Sequence, residues 1–284
     1  MTEDNLSAVL YAVDDLRLEQ VPIPKPGPKQ VQVRVHTVGI CGSDVHYWTH
    51  GAIGPFVVKE PMIVGHETSG VVSEVGSEVK HLKVGDRIAM EPGLPCKLCE
   101  HCKTGRYNLC PEMRFFATPP VHGTLSRYVV HDADFCFKLP DNLSFEDGAL
   151  IEPLSVAIHS CRRGNVQMGH RVLVLGAGPI GVLNLLTAKA VGAGKVTTRS
   201  GGVIVLVGLG ADRVEIPIIE SATREVDIRG IFRYVNCYPT AIELLSSGKL
   251  DLSGLTRAHY KLEETLEAFK RTQKADVIKV FIHC

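Results

Sequence analysis

Lys plus Arg and Asp plus Glu balance at 31 each across 284 residues, so no net field draws this chain onto nucleic acid or an anionic membrane. With 45% of its residues apolar it can fill one large core or two medium ones, which excludes a disordered chain and suits a small neutral substrate. The N-terminus MTEDNLSAVL is acidic, and no run approaches the ~18 apolar residues of a membrane span, so the expectation is a cytosolic protein with no membrane partner. In a reducing compartment its nine cysteines point to metal ligands or buried thiols rather than disulfides.

Along the chain, VQVRVHTVGI, SGVVSEVGS, VGDRIAME and LSRYVVH read as strands between Gly and Pro punctuation, with little helix before about residue 144. SFEDGALIEPLSVAIHSC then reads as a helix, with Ser144 as N-cap and Glu146 and Asp147 in its first turn. From His170 the pattern is α/β: RVLVLGAG an apolar strand, IGVLNLLTAKAVGA a helix, GGVIVLVG and VDIRGIF further strands. KLEETLEAFKRTQ predicts an amphipathic helix and VIKVFIHC a last strand. The change of texture places a domain junction near residue 155.

Two constellations carry metal chemistry. Cys96, Cys99, Cys102 and Cys110, spaced C-x2-C-x2-C-x7-C, can close a tetrahedral zinc shell with no open position, a structural role. An iron–sulfur cluster or unligated thiols are the other readings, and the last gap is longer than in the bacterial ferredoxin run. Cys41, His66, Glu67 and Glu152 are spread further apart but offer the mixed S, N and O donors of a catalytic zinc that keeps an exchangeable position. Singly, each reads as a core thiol, a structural histidine or a surface acid; their joint occurrence with the tetrad and a nucleotide loop favours the metal.

Gly176, Gly178 and Gly181 form G-x-G-x-x-G between RVLVL and a helix. That pattern gives a tight turn, close approach to a pyrophosphate and helix-on-strand packing; a turn that binds nothing is the alternative. The ribose-binding acid expected about 20 residues further on is missing, since that window reads VTTRSG.

In order, GHE, the four-cysteine lobe, EPLSVAIH and GAGPIG resemble the zinc-dependent medium-chain dehydrogenase family, and DLRLEQVPIPKPGP, GICGSDVHYW, GRYNLCPEMRFFATPP and REVDIRGIFRY resemble its polyol-oxidising members. The resemblance implies an α/β protein with a partly barrel-like, GroES-like catalytic domain over 1–154, completed by 237–284, and a Rossmann domain over 155–236. It implies Cys41, His66 and Glu67 on a catalytic zinc, with Glu152 beside it through the metal's water. It also implies Tyr47, Glu152, Arg233 and Tyr234 on the polyol, and Ser43 and His46 as candidates for proton relay. Cofactor contacts fall on Gly176, Gly178, Ile180, Gly181, Val207, Gly208, Leu209, Ile231, Phe232 and Arg233. Two zinc ions, NAD, a homotetramer and oxidation of a polyol such as sorbitol or L-iditol to a ketose follow from the same likeness.

By that comparison KVT is the stub of a second Rossmann strand and TRSGGVIVLVGLG comes from much later in the domain. The join falls near Val196 to Arg199, and about 60 residues are missing on the size of βαβ units. Arg199 is thus a weak pointer to the 2′-phosphate of NADP. The better expectation is a chain lacking an internal Rossmann segment, either still an active dehydrogenase or a zinc-binding form impaired in dinucleotide binding.

Overall fold

The computed structural model describes residues 4–193, 200–208, 213, 215–216, 218–274 and 276–284. Leu209 and the join at Val196 to Arg199, with the KVT stub, lie outside the described residues.

The first part opens with the hairpin β1 (Leu6–Ala12) and β2 (Asp15–Gln20), the ten-residue β3 (Gln30–Gly39) and helix α1 (Gly42–His50). The short strands β4 (Ala52–Ile53), β5 (Phe56–Val57) and β6 (Met62–Ile63) lead to β7 (Glu67–Val75) and β8 (Arg87–Met90). After β9 (Gly93–Leu94) and the one-turn helix α2 (Glu100–Lys103) come β10 (Arg114–Phe115), β11 (Tyr128–Asp132) and β12 (Cys136–Lys138). The second part holds α3 (Phe145–Arg163), α4 (Pro179–Ala190), β13 (Val203–Leu206), α5 (Ile218–Thr223) and β14 (Asp227–Gly230). The chain returns through α6 (Tyr238–Ser246), β15 (Arg257–Lys261), α7 (Thr265–Thr272) and β16 (Lys279–His283).

The main sheet runs β12-β8-β7-β3-β16-β15, with β11 also on β3. It is open rather than a closed barrel. The C-terminal strand β16 inserts between β3 and β15, its Phe281, Ile282 and His283 opposite Gly39, Val38 and Thr37, so residues from the end of the chain complete the main sheet. β3 buries Val31, Val33, Val35 and Val38, each contributing about 1.5–3 kcal/mol of burial, and Trp48 of α1 meets Phe269 of α7 edge-on at 5.8 Å. A second core gathers along α3 and α6 around Leu150, Ile151, Leu154, Tyr238 and Phe281.

Three features differ from the sequence reading. GICGSDVHYW carries α1, a nine-residue helix where only a strand-rich texture was read. α3 runs unbroken through the junction expected near residue 155, with Pro153 inside it; burial of Leu150, Ile151 and Leu154 offsets the hydrogen bond that a proline removes. RVLVLGAG is not a strand: residues 171–177 carry no strand pairing, and Leu173 and Leu175 are 45% and 86% exposed. An apolar run becomes a strand only with neighbours to take its hydrogen bonds, and among the described residues β13 and β14 pair with each other alone, as a two-stranded parallel sheet. Leu206, Ile216, Ile218 and Ile219 share that exposure, the uncovered apolar edge expected of a shortened domain.

Candidate active site

The N-terminal turn of α1 and the β6–β7 loop set the metal donors side by side. Cys41 is the N-cap of α1, while His66 and Glu67 stand at the start of β7. The Asp44 side chain ties the two pieces together, accepting from the Cys41 backbone N–H at 3.0 Å and the Gly65 N–H at 2.8 Å. Its Oδ1 also lies 3.6 Å from His66 Nδ1, an ion-pair separation rather than a hydrogen bond. Burial pushes the Asp44 carboxyl up, but the His66 charge and these two N–H groups outweigh it and hold the group low.

The donor atoms of Cys41, His66 and Glu67 all lie within 4.8 Å of one another. His66 and Glu67 are 6% and 1% exposed, with His66 Nδ1 facing Asp44. A half-buried thiol, a buried imidazole and a buried carboxylate converging this closely fit a zinc ion. Glu67 does face a cation: Lys279 of β16, itself buried, ion-pairs with its carboxylate. Burial lowers the Lys279 ammonium, and the Glu67 charge more than restores it. A Cβ on Gly39, opposite Glu67 in the sheet, would collide with both partners, so glycine is required there.

Glu152 falls outside that three-donor group but lines the same cleft of about 1340 Å³. Burial, reinforced by the Glu67 charge against the opposing His66, raises its carboxyl to about 7. Ser43, His46 and Tyr47 project from α1 into this cleft; His46 is exposed and stacks on His50 at 4.3 Å, while burial drives the Tyr47 hydroxyl up to about 12. Arg233 enters from the opposite side in a left-handed conformation, φ 52°. Its guanidinium lies 3.7 Å over the Phe115 ring and donates to Thr118 Oγ1 at 3.2 Å; burial lowers it to about 10. Tyr234 is not a cleft-lining residue: it is 3% exposed and packs on Tyr238, 5.9 Å between centroids.

The far end of the cleft is the glycine loop. Gly176, Gly178, Ile180, Gly181, Val207, Gly208, Ile231 and Phe232 line it, with Gly178 the N-cap and Pro179 the first residue of α4. Space is open at Gly176 and Gly178, whereas a Cβ on Gly181 would strike the Gly176 backbone. Free backbone and a helix N-terminus fit a pyrophosphate. Among the described lining residues the only acids are Glu67 and Glu152, both at the other end, so the ribose grip does not fit.

Outside the cleft, Cys96, Cys99, Cys102 and Cys110 gather within 4.8 Å, and all are free thiols. Sulfur separations of 3.9 Å (Cys96 to Cys102) and 3.5 Å (Cys99 to Cys102) suit the edges of a tetrahedral sulfur shell around zinc. Backbone N–H groups of Leu98 and Cys99 point at Cys96 Sγ and lower that thiol to about 7. The lobe reaches the Arg233 end of the cleft: Asn108 donates to the Phe232 carbonyl at 2.9 Å, and Tyr107 accepts from the Asn236 N–H at 3.0 Å. It thereby braces the loop that carries Arg233.

Sequence reasoning missed Asp44, Phe115, Thr118 and Lys279. Phe115 and Thr118 lie in the quoted string GRYNLCPEMRFFATPP, and Asp44 in GICGSDVHYW; Lys279 had no local signal.

Residues 27–141 match the family model of the alcohol dehydrogenase GroES-like domain. Together the open sheet, the cleft and this match define a medium-chain dehydrogenase. Sorbitol dehydrogenase of Macaca fascicularis is 48% identical over 342 aligned residues, 99% of this chain and 96% of the relative, and that of Homo sapiens is 47% identical over 343, with 99% and 96% covered. The chain belongs to the sorbitol dehydrogenase family of oxidoreductases. Among solved structures, L-idonate 5-dehydrogenase of Escherichia coli superposes with a TM-score of 0.93 at 27% identity, covering 99% of this chain and 98% of the other. An Escherichia coli oxidoreductase of unknown specificity involved in membrane biogenesis gives 0.90 at 31%, covering 99% of both. An alignment of 342 residues against a chain of 284 leaves at least 58 positions of the macaque relative with no counterpart here.

Proposed function

We propose that this chain is a zinc-dependent polyol 2-dehydrogenase that oxidises a secondary alcohol, as in sorbitol or L-iditol, to the ketose with NAD. The observation that carries the reading is the convergence of half-buried Cys41 with buried His66 and Glu67, a donor set opening onto the same cleft as Glu152, Tyr47 and Arg233. Cys41, His66 and Glu67 would hold the zinc, which when bound would supply Lewis acidity toward a hydroxyl, and a bound nicotinamide would supply the hydride acceptor. Glu152, with a carboxyl near 7, holds or accepts a proton at the reacting end around neutrality. Ser43 and His46 are the candidates to pass it on to solvent. Tyr47 and Arg233 offer donors to the remaining hydroxyls, and analogues lacking those hydroxyls would leave buried donors unpaired. Tyr234, which is buried and does not line the cleft, is not placed to touch polyol. The cysteine tetrad holds a second, structural zinc that keeps the Arg233 loop in place.

A second reading is favoured by one specific observation, the missing ribose acid beside a two-stranded sheet. In it the chain binds zinc but not the dinucleotide. Titration calorimetry with NAD separates the two: the first reading expects saturable binding that is lost on Gly178→Val, the second no heat of binding to zinc-loaded protein. The homotetramer and the cytosolic address of the family reading are tested by sedimentation and fractionation; the only structural support is that no helix among the described residues is long and apolar enough to cross a membrane.

A further inference from the structure

Away from the cleft and the cysteine lobe, a third set of donors converges where the C-terminal strands meet α3. Glu146 stands in the first turn of α3, His259 on β15 and His283 at the end of β16. Their ligand atoms lie within 4.8 Å of one another. His259 Nδ1 is 3.2 Å from Glu146 Oε1 and 3.2 Å from His283 Nε2, and His283 Nε2 is 3.9 Å from Glu146 Oε1. The point equidistant from three atoms so spaced lies about 2.0 Å from each, the length of zinc bonds to imidazole nitrogen and carboxylate oxygen.

Surrounding groups hold each ligand in position. Arg257 Nη1 takes Glu146 Oε2 at 2.6 Å, leaving Oε1 to face the histidines. Thr37 Oγ1 sits 3.2 Å from His283 Nδ1, so a proton on Nδ1 turns the Nε2 lone pair toward the other two donors, the arrangement that second-shell partners impose on metal-bound imidazoles. Thr37 is fixed in turn by His36 Nδ1 at 2.8 Å, and the His259 and His283 rings lie nearly parallel, 8° apart. The side chains are 48% (His259), 35% (His283) and 22% (Glu146) exposed, so an ion from solvent can reach them. Burial also keeps His283 below the usual imidazole range, and the Glu146 charge opposes that shift without reversing it.

We propose that Glu146, His259 and His283 form a divalent transition-metal site that takes zinc and fastens strands β15 and β16 to the first turn of α3. Two imidazoles and one carboxylate select zinc, copper or nickel over the hard cations magnesium and calcium. The fourth position faces solvent and takes water.

Zinc chloride titration of the full chain, with metal content measured after dialysis, tests this. Wild-type protein is expected to hold one zinc equivalent more than His259→Gln/His283→Gln. Thr37→Val is expected to weaken that equivalent about 10- to 100-fold, as loss of an outer-shell partner does. With copper(II) as probe, electron paramagnetic resonance should show nitrogen hyperfine lines that the double variant lacks. Equal zinc content and identical copper spectra in wild type and double variant, both folded by circular dichroism, would show that the three side chains form only a hydrogen-bonded cluster and overturn the proposal. Should the double variant fail to fold, His259→Gln alone changes the most exposed ligand, and unchanged zinc content in it overturns the proposal equally.

Discussion

Asp44 shows how much of the site rests on one unligated side chain. Its carboxylate ties the Cys41 turn to the His66 loop and approaches the His66 ring, the carboxylate–histidine arrangement that orients a metal-bound imidazole. Asp44→Asn is expected to weaken zinc binding at the Cys41 site about 10- to 100-fold. Chelator competition checks it, and unchanged affinity would remove Asp44 from the site. A second residue sets a pH dependence. Burial raises the Glu91 carboxyl from 4.5 to about 7, against the hydrogen bond it accepts from Tyr107 at 2.6 Å. Because the folded state holds this proton more tightly, the stability it contributes is complete below about 4.5 and is lost as pH rises through about 7. The difference amounts to about 3 kcal/mol at most. Urea melts at pH 5 and pH 8 are therefore expected to fall less for Glu91→Gln than for wild type; equal falls would place the proton elsewhere.

At the scale of elements, α3 joins three functions. Its first turn presents Glu146, its middle Glu152, and its outer face receives α4. The Ser144 hydroxyl accepts from the Asp147 N–H at 3.1 Å while the Asp147 carboxylate accepts from the Ser144 N–H at 2.9 Å, a reciprocal cap. Ser144→Ala is expected to cost about 1 kcal/mol in urea unfolding; a cost near zero would mean that tertiary packing alone fixes the helix start. This cap was legible in SFED because capping is local, and the cysteine tetrad was legible because all four thiols lie within fifteen residues. RVLVL misled for the converse reason. Its apolar pattern describes what a strand would bury, yet strand formation depends on partners elsewhere, and among the described residues β13 and β14 pair only with each other. Lys279 was invisible for the same kind of reason: it reaches Glu67 only because β16 threads between β3 and β15, a topological fact that no local window contains.

For the whole molecule, the two halves are unequally built. The half that carries Cys41, His66 and Glu67 keeps a continuous core, a completed sheet and a braced Arg233 loop, whereas the half that carries the glycine loop keeps that loop at the start of α4 and no acid beside it among the described cleft-lining residues. The 342-residue alignment against 284 residues and the exposed Leu175, Leu206 and Ile219 point to the same shortening. The order of the family motifs and the candidate donors Cys41, His66 and Glu67, which the structure brings within 4.8 Å, were readable beforehand, since each rests on short strings. How far the remaining Rossmann elements hold together was not, because that depends on strands the chain does not contain. The measurement that bears most directly on the proposed activity is NADH formation at 340 nm by zinc-loaded protein given sorbitol and NAD. The zinc-dependent dehydrogenase reading expects turnover that disappears in His66→Ala and on zinc removal. No NADH from protein shown to carry zinc at the Cys41, His66 and Glu67 site would contradict it.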